Sequence, residues 1–379
     1  MSSSRAYLDY NATAPLRPEA RAAMLAALDL TGNASSVHTE GRRARAVIEA
    51  GRAEVAALAG ARVSDVVFTS GATEAANWVM TRPWRRIVVS AIEHPCVLEA
   101  ARRSCADVDV LAVKPDGAAD VDELARLLAG YGNGDGEILV AVQHANNETG
   151  IVQPVADVVA IARDYGARVL IDAVQTAGRI ALNFDARGAD FMLLSSHKIG
   201  GPKGVGALVV SEDARLPAMI VGGGQEKGRR AGTENVEAIV GFGAAAAAAR
   251  RDLDRAGEIE TLRDALEAGL ARVTPDVRII GQGVSRLANT CLAGLAGGKA
   301  ETIVIALDLN GVAASAGAAC SSGTTKRSAV LDAMGVDDDV AQGMVRFSLG
   351  WASREEDVAA CVSAWQRVNK VRGRERQVA

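Results

Sequence analysis

The feature that most constrains this chain is an alternation running from residue 17 to about 210. Short β-branched runs, each closed by Gly, Ser or Asp, alternate with segments rich in Ala, Leu, Glu and Arg at helical spacing. The expected strands are 66–68, 87–89, 108–113, 138–142, 168–171, 191–194 and 207–210, and helices such as 42–58, 121–128 and 155–165 lie between them. Strands joined by helical crossovers run parallel, and the helices cover both faces of the sheet they form. The expected core is an α/β layer structure around a mostly parallel, seven-stranded sheet.

The pattern changes after Thr233. An Ala-rich helix, 236–251, is followed by strands at 277–280 and 289–293, a helix at 301–309, a Gly/Ala/Ser-rich loop, a helix at 328–334, a strand at 345–349 and a last helix. A smaller α+β domain is expected there, so that 13–250 forms the large domain and 251–379, joined by 1–12, the small one. A length of 379 residues agrees with two domains at roughly 100–200 residues each.

Charge argues for small-molecule chemistry. The 42 basic and 46 acidic residues are interspersed, leaving a net −4, so no field is set up to draw in nucleic acid or anionic lipid. No signal-peptide pattern opens the chain, and no run of about twenty apolar residues suits a membrane span, so a cytoplasmic protein is expected. Cys96, Cys105, Cys291, Cys320 and Cys361 are odd in number and widely spaced, without the paired spacing that holds zinc. Free thiols and no metal are expected, and context must single out a functional one.

In an open parallel sheet, ligands sit beyond the C-terminal ends of the strands, so the residues that follow each strand are the informative ones. Thr69 to Glu74 leads through a glycine into a helix whose first N–H groups and hydroxyls suit a phosphate, although Thr69 or Thr73 as a plain N-cap explains the segment equally well. His94 follows the second strand; read bare, a lone histidine is more often structural. Asn146-Asn147-Glu148 follows the fourth strand, and Asp172 with Gln175 ends the next. Ser195-Ser196-His197-Lys198 closes the apolar strand after that. Lysine is scarce, with only seven in the chain, and Lys198 alone follows directly on a buried-looking strand, where desolvation favours a nucleophilic amine.

A carbonyl-trapping lysine, a phosphate-binding helix start and a carboxylate at a third strand end are the parts that pyridoxal 5'-phosphate requires. Asp172 would keep the ring nitrogen protonated, so that the ring accepts electrons when a bond to the substrate's α-carbon breaks.

With these residues in view, the chain resembles the cysteine desulfurases of the NifS/IscS group, fold-type I enzymes of the class V aminotransferase superfamily. The likeness is carried by Tyr7 to Pro15, Thr69 to Glu74, Glu93-His94, Asn146 to Glu148, Asp172 to Gln175, Ser195 to Gly204, Gly222 to Asn235, Ala319 to Gly323 and Arg346 to Gly350. It implies that Ala72, Thr73, Ser195 and His197 hold the phosphate, that His94 stacks on the ring, and that Asn147 and Gln175 contact the ring and its O3′ oxygen. Lys198 would bind the cofactor covalently. Thr233 would reach the phosphate of a neighbouring subunit, which implies a homodimer. Asn11 and Arg346 would bind the substrate L-cysteine, Arg346 clamping its carboxylate. Cys320, in the small-residue stretch 313–323, would take the sulfur as a persulfide, leaving L-alanine, with Lys198 moving the α-proton and His94 a further proton carrier.

The nucleophile segment departs from the family's common Gly-Ser-Ala-Cys-Thr-Ser and later Leu-Glu-Pro-Ser. Here it reads Gly317-Ala318-Ala319-Cys320-Ser321-Ser322 and then Thr325-Lys326-Arg327-Ser328. The end, 372–379, is shorter than the segment through which housekeeping members engage an iron–sulfur scaffold. The sulfur acceptor, an iron–sulfur scaffold or another thio-cofactor builder, therefore stays open. The alternative is another class V enzyme using the same cofactor, an aminotransferase or a selenocysteine lyase.

Overall fold

A computed structural model describes residues 5–132, 137–317 and 327–378; the side chains of Arg187 and of residues 370–378 lie outside that description. Strand β1 (Ala6–Tyr7) is followed by seven strands of one sheet: β2 (Val66–Thr69), β3 (Arg86–Ser90), β4 (Asp107–Leu111), β5 (Ile138–Gln143), β6 (Arg168–Asp172), β7 (Phe191–Ser195) and β8 (Gly206–Val210). Their spatial order is β2-β8-β7-β6-β5-β3-β4. Only β8 runs against its neighbours, pairing antiparallel with both β2 and β7. The sheet is thus mostly parallel, as the βα alternation requires.

Both faces are buried, which is why these strands read as unbroken apolar runs. Val140 and Val142 of β5 pack on one face with Thr39–Ala59 and Val236–Arg251, while Leu139 and Ala141 pack on the other with Ala72–Met80 and Pro95–Arg103. Successive side chains alternate between the two cores, as the two-residue period of a strand dictates. The helix 39–59 ends at Gly60, whose φ of 63° supplies the left-handed turn that stops it.

The C-terminal part adds β9 (Arg278–Ile280), β10 (Thr290–Gly294), β11 (Val312–Ala313), β12 (Ser315–Ala316) and β13 (Met344–Ser348). Four of these form an antiparallel sheet in the order β12-β13-β10-β9, and β11 pairs with β1. A separate core joins Leu8, Leu266, Phe347 and Trp365. The start of the stretch expected as a continuous small-residue loop, 313–323, is instead strand: Ala313 pairs with Tyr7 and Ser315 with Arg346. Small side chains let this backbone lie flat against its partners. No helix among the described residues is long and apolar enough to cross a membrane.

Candidate active site

The C-terminal ends of β2, β3, β5, β6 and β7 converge on one cavity of about 500 Å³. Its walls include Ala72, Thr73, His94, Asn147, Asp172, Gln175, Ser195, His197 and Lys198, with Asn11 and Arg346 contributed from the N-terminal segment and β13. Residues scattered over more than 300 positions are gathered because the strand ends share one edge. Thr233 is exposed and does not line this cavity. Cys320 lies outside the described residues.

The helix Ala72–Met80 begins at Gly71 with no side chain capping its first N–H groups. Thr69 accepts from Gly71 N at a long 3.4 Å, so the plain N-cap reading of Thr69 or Thr73 does not describe this helix start. Its open N–H groups face the cavity, where the helix's positive end favours an anion. Close packing behind the turn depends on Gly206: a Cβ there would lie 2.7 Å from Gly71 Cα and 2.7 Å from the Leu194 carbonyl.

Asp172 ends β6, and its Oδ1 accepts from the Val174 N–H at 2.9 Å. Burial pushes its carboxyl up to about 6, against the pull of that N–H and of Lys198. It therefore remains mostly ionised at neutral pH. Glu93 lies behind it, fully enclosed, and is raised well above the ordinary carboxyl value by burial and by Asp172. One neutral and one ionised carboxyl can share this space where two anions could not.

Lys198 closes a single 3-10 turn after β7. Its Nζ donates to the carbonyls of Asn11 at 2.7 Å and Ala12 at 2.9 Å. The Asn11 side chain is spent elsewhere: Nδ2 donates to the Asn147 carbonyl and to Thr290 Oγ1, and Oδ1 accepts from Asn289. What Asn11 offers Lys198 is thus its backbone oxygen.

His94 caps the helix Pro95–Arg103, its Nδ1 accepting from the Cys96 N–H at 3.1 Å. That bond places the ring's proton on Nε2. Burial, aided by Lys198, pushes the imidazole down to about 4, so it is neutral at physiological pH. His197 is likewise lowered to about 4 by burial, Lys198 and Lys203, and its Nδ1 lies 3.1 Å from Thr13 Oγ1.

Arg346 is 2% exposed. Its Nη1 donates to the Asn147 carbonyl and its Nη2 to Asp9 Oδ1, both at 3.0 Å, while Nε, though buried, has no partner. Arg346 lines the cavity, where its guanidinium would suit an incoming carboxylate. Asp9, the partner that orients it, was not singled out from sequence, because nothing local links it to a residue 337 positions away. Cys96 also lines the cavity, but burial and the nearby Asp172 and Glu93 push its thiol up, so it stays unreactive.

The chain matches the aminotransferase class-V family over residues 6–361. It is similar to the cysteine desulfurase IscS of Dictyoglomus turgidum, with 37% identity covering 96% of this chain and 94% of that protein. Among solved structures, a NifS-like protein from Rickettsia africae superimposes with a TM-score of 0.88 at 35% identity, covering 97% of this chain and 99% of that one. A structure described as SspA in complex with cysteine aligns with a TM-score of 0.76 at 27% identity, over 90% of this chain and 98% of that one. With the fold, the strand-end cavity and these likenesses in agreement, the chain belongs to the class-V aminotransferases and, within them, to the cysteine desulfurases of the NifS/IscS group.

Proposed function

We propose that this protein uses pyridoxal 5'-phosphate to remove sulfur from L-cysteine, releasing L-alanine and leaving a persulfide on Cys320. The observation that carries the reading is the meeting of Lys198, the Asp172 carboxylate and an uncapped helix start in one cavity. The residues suit the cofactor: Ala72 and Thr73, with Ser195 and His197, would hold the phosphate, Asp172 would keep a proton on the ring nitrogen, and Lys198 would bind it covalently. Bound there, the cofactor supplies an electron sink for the bond broken at the substrate's α-carbon.

The protein's own groups do the rest. Arg346, which lines the cavity, would orient the substrate through its carboxylate. Lys198, the residue that would hold the cofactor, is also the amine that would move the α-proton. His94 would lie against the ring; neutral, with Nδ1 occupied, it presents Nε2–H and suits donation better than acceptance. A Cys320 thiolate attacks the substrate sulfur, the carbon–sulfur bond breaks, and a protein-bound persulfide remains. None of the described cysteines is placed to make that attack. Cys96 is held as a neutral thiol, Cys291 and Cys361 are buried in the C-terminal core, and Cys105 is exposed but does not line the cavity. The persulfide would then pass to an iron–sulfur scaffold or another thio-cofactor builder. Thr233, exposed and away from its own chain's cavity, suits a contact across a homodimer.

The deciding measurement is single-turnover alanine release from L-cysteine, followed alongside protein-bound persulfide. Equal yields of both, lost in Cys320→Ala, are expected. A mutant that matches wild type would overturn the assignment and favour an aminotransferase or lyase.

A further inference from the structure

Gln175 follows β6 in the turn that carries Asp172, and its amide is held at both ends. The Nε2 end donates to the Asn11 carbonyl at 3.1 Å, the same oxygen that receives Lys198 Nζ. The Oε1 end accepts from Arg179 Nη1, which also donates to the Gln175 backbone carbonyl at 2.8 Å. Gln175 is 5% exposed and lines the cavity, whereas Arg179 approaches from behind it, out of the cavity wall.

An amide has two similar ends, and only its surroundings decide which faces a ligand. An arginine can only donate, so a guanidinium on one end obliges that end to be the oxygen. The NH₂ end is thereby turned toward Asn11 and Lys198. We propose that Arg179 is a positioning residue: by occupying Gln175 Oε1 it fixes the amide as a donor toward the lysine side of the cavity. The proposal rests on the reading that the cavity takes pyridoxal 5'-phosphate, whose anionic ring oxygen would be the acceptor. A freely turning amide would present its oxygen to that anion part of the time. The arrangement is local, four residues apart in one turn, and Arg179 need touch neither substrate nor cofactor.

The test compares wild type, Arg179→Met, Arg179→Lys, Gln175→Ala and the Arg179→Met/Gln175→Ala double variant. Two quantities are read: the Kd of pyridoxal 5'-phosphate for the apoprotein, and the pH midpoint of the visible band of the loaded protein. Arg179→Met is expected to weaken binding by about fivefold, the scale of one hydrogen bond, and to raise the midpoint. Arg179→Lys, which keeps a donor, should stay within about twofold of wild type. In the Gln175→Ala background the Arg179→Met change should nearly vanish, which separates aiming of the amide from mere loss of a positive charge. Unchanged binding and midpoint in Arg179→Met, or an equal effect with and without Gln175, would overturn the proposal. If Arg179→Met does not fold, Arg179→Leu, which likewise has no donor, takes its place in the same cycle. A wild-type apoprotein that takes up no cofactor would instead bring down the reading of the cavity itself, and this proposal with it.

Discussion

Arg346 and Asp9 meet at 3.0 Å between Nη2 and Oδ1, tying the C-terminal sheet to the N-terminal segment. Asp9 also accepts from Ser315 Oγ at 2.8 Å, so its carboxylate is itself held in place. Substituting Asp9 by Asn keeps the shape and removes the charge that fixes the guanidinium. The KM for cysteine is expected to rise about tenfold with a smaller change in kcat, because the clamp loses orientation rather than its donors. Arg346→Lys, which removes the planar fork, should cost about a hundredfold in kcat/KM. Steady-state kinetics of the two variants check both expectations.

His94 offers a pH signature. Its pKa is about 4 in the folded chain, pushed down by burial first and then by Lys198, against an ordinary 6.5. Between those values the unfolded chain binds the extra proton, so folding stability rises with pH through this window and is lost as pH falls toward 4. At about 1.4 kcal/mol per pKa unit, the full shift contributes up to about 3 kcal/mol above pH 6.5. Denaturant unfolding of cofactor-free protein should show wild type gaining on His94→Gln by about that amount between pH 4 and pH 7. A difference that does not change with pH would mean that His94 is not held neutral.

How far these features could be read from the sequence depends on how local their causes are. Strands such as 138–142 and 191–194 were legible because burial on both faces leaves an unbroken apolar run. The site was legible for a related reason: in a parallel sheet every strand end reaches the same edge, so Asp172 and Lys198 had to be near one another. Reversal of β8 left no mark, because an apolar run reads alike in either direction. Two-residue strands such as Ser315–Ala316 are shorter than any periodicity. Asn11 was expected to bind the substrate; what it gives Lys198 is a backbone oxygen, which no residue letter reports. The pair of Asp9 with Arg346 is a product of the tertiary fold alone.

A second long-range pair gives a stability test. Arg52 Nη1 and Nη2 donate to Glu226 Oε2 and Oε1 at 2.7 and 2.8 Å, and Glu226 Oε2 also accepts from the Phe68 N–H. Both side chains are at most 10% exposed, and Glu226 adopts a φ of 49°, unusual for a residue with a side chain. The bond network holds the 222–235 segment against β2. Glu226→Ala leaves the buried guanidinium with only the half-exposed Glu49 carboxylate at 3.1 Å, for which about 3 kcal/mol of destabilisation is expected. Chemical denaturation measures it, and a loss below about 1 kcal/mol would show that water reaches Arg52 readily.

Glu148 should behave oppositely to His94. Its Oε2 accepts from Ser328 Oγ at 2.6 Å, and burial pushes its carboxyl up to about 7, although Ser328 and Arg346 pull it down. A carboxyl raised from 4.5 to about 7 holds its proton longer in the folded chain than in the unfolded one. Its contribution to stability is therefore fully present below pH 4.5 and is lost as pH rises through 7. Glu148→Gln cannot ionise and escapes that loss, while an amide can still accept from Ser328 through its oxygen. Relative to wild type the variant is expected to gain Tm from pH 5 to pH 8, with most of the gain between pH 5 and 7. Thermal unfolding of cofactor-free protein across that range decides the matter, since a Tm difference independent of pH would mean that Glu148 is already ionised in the folded chain.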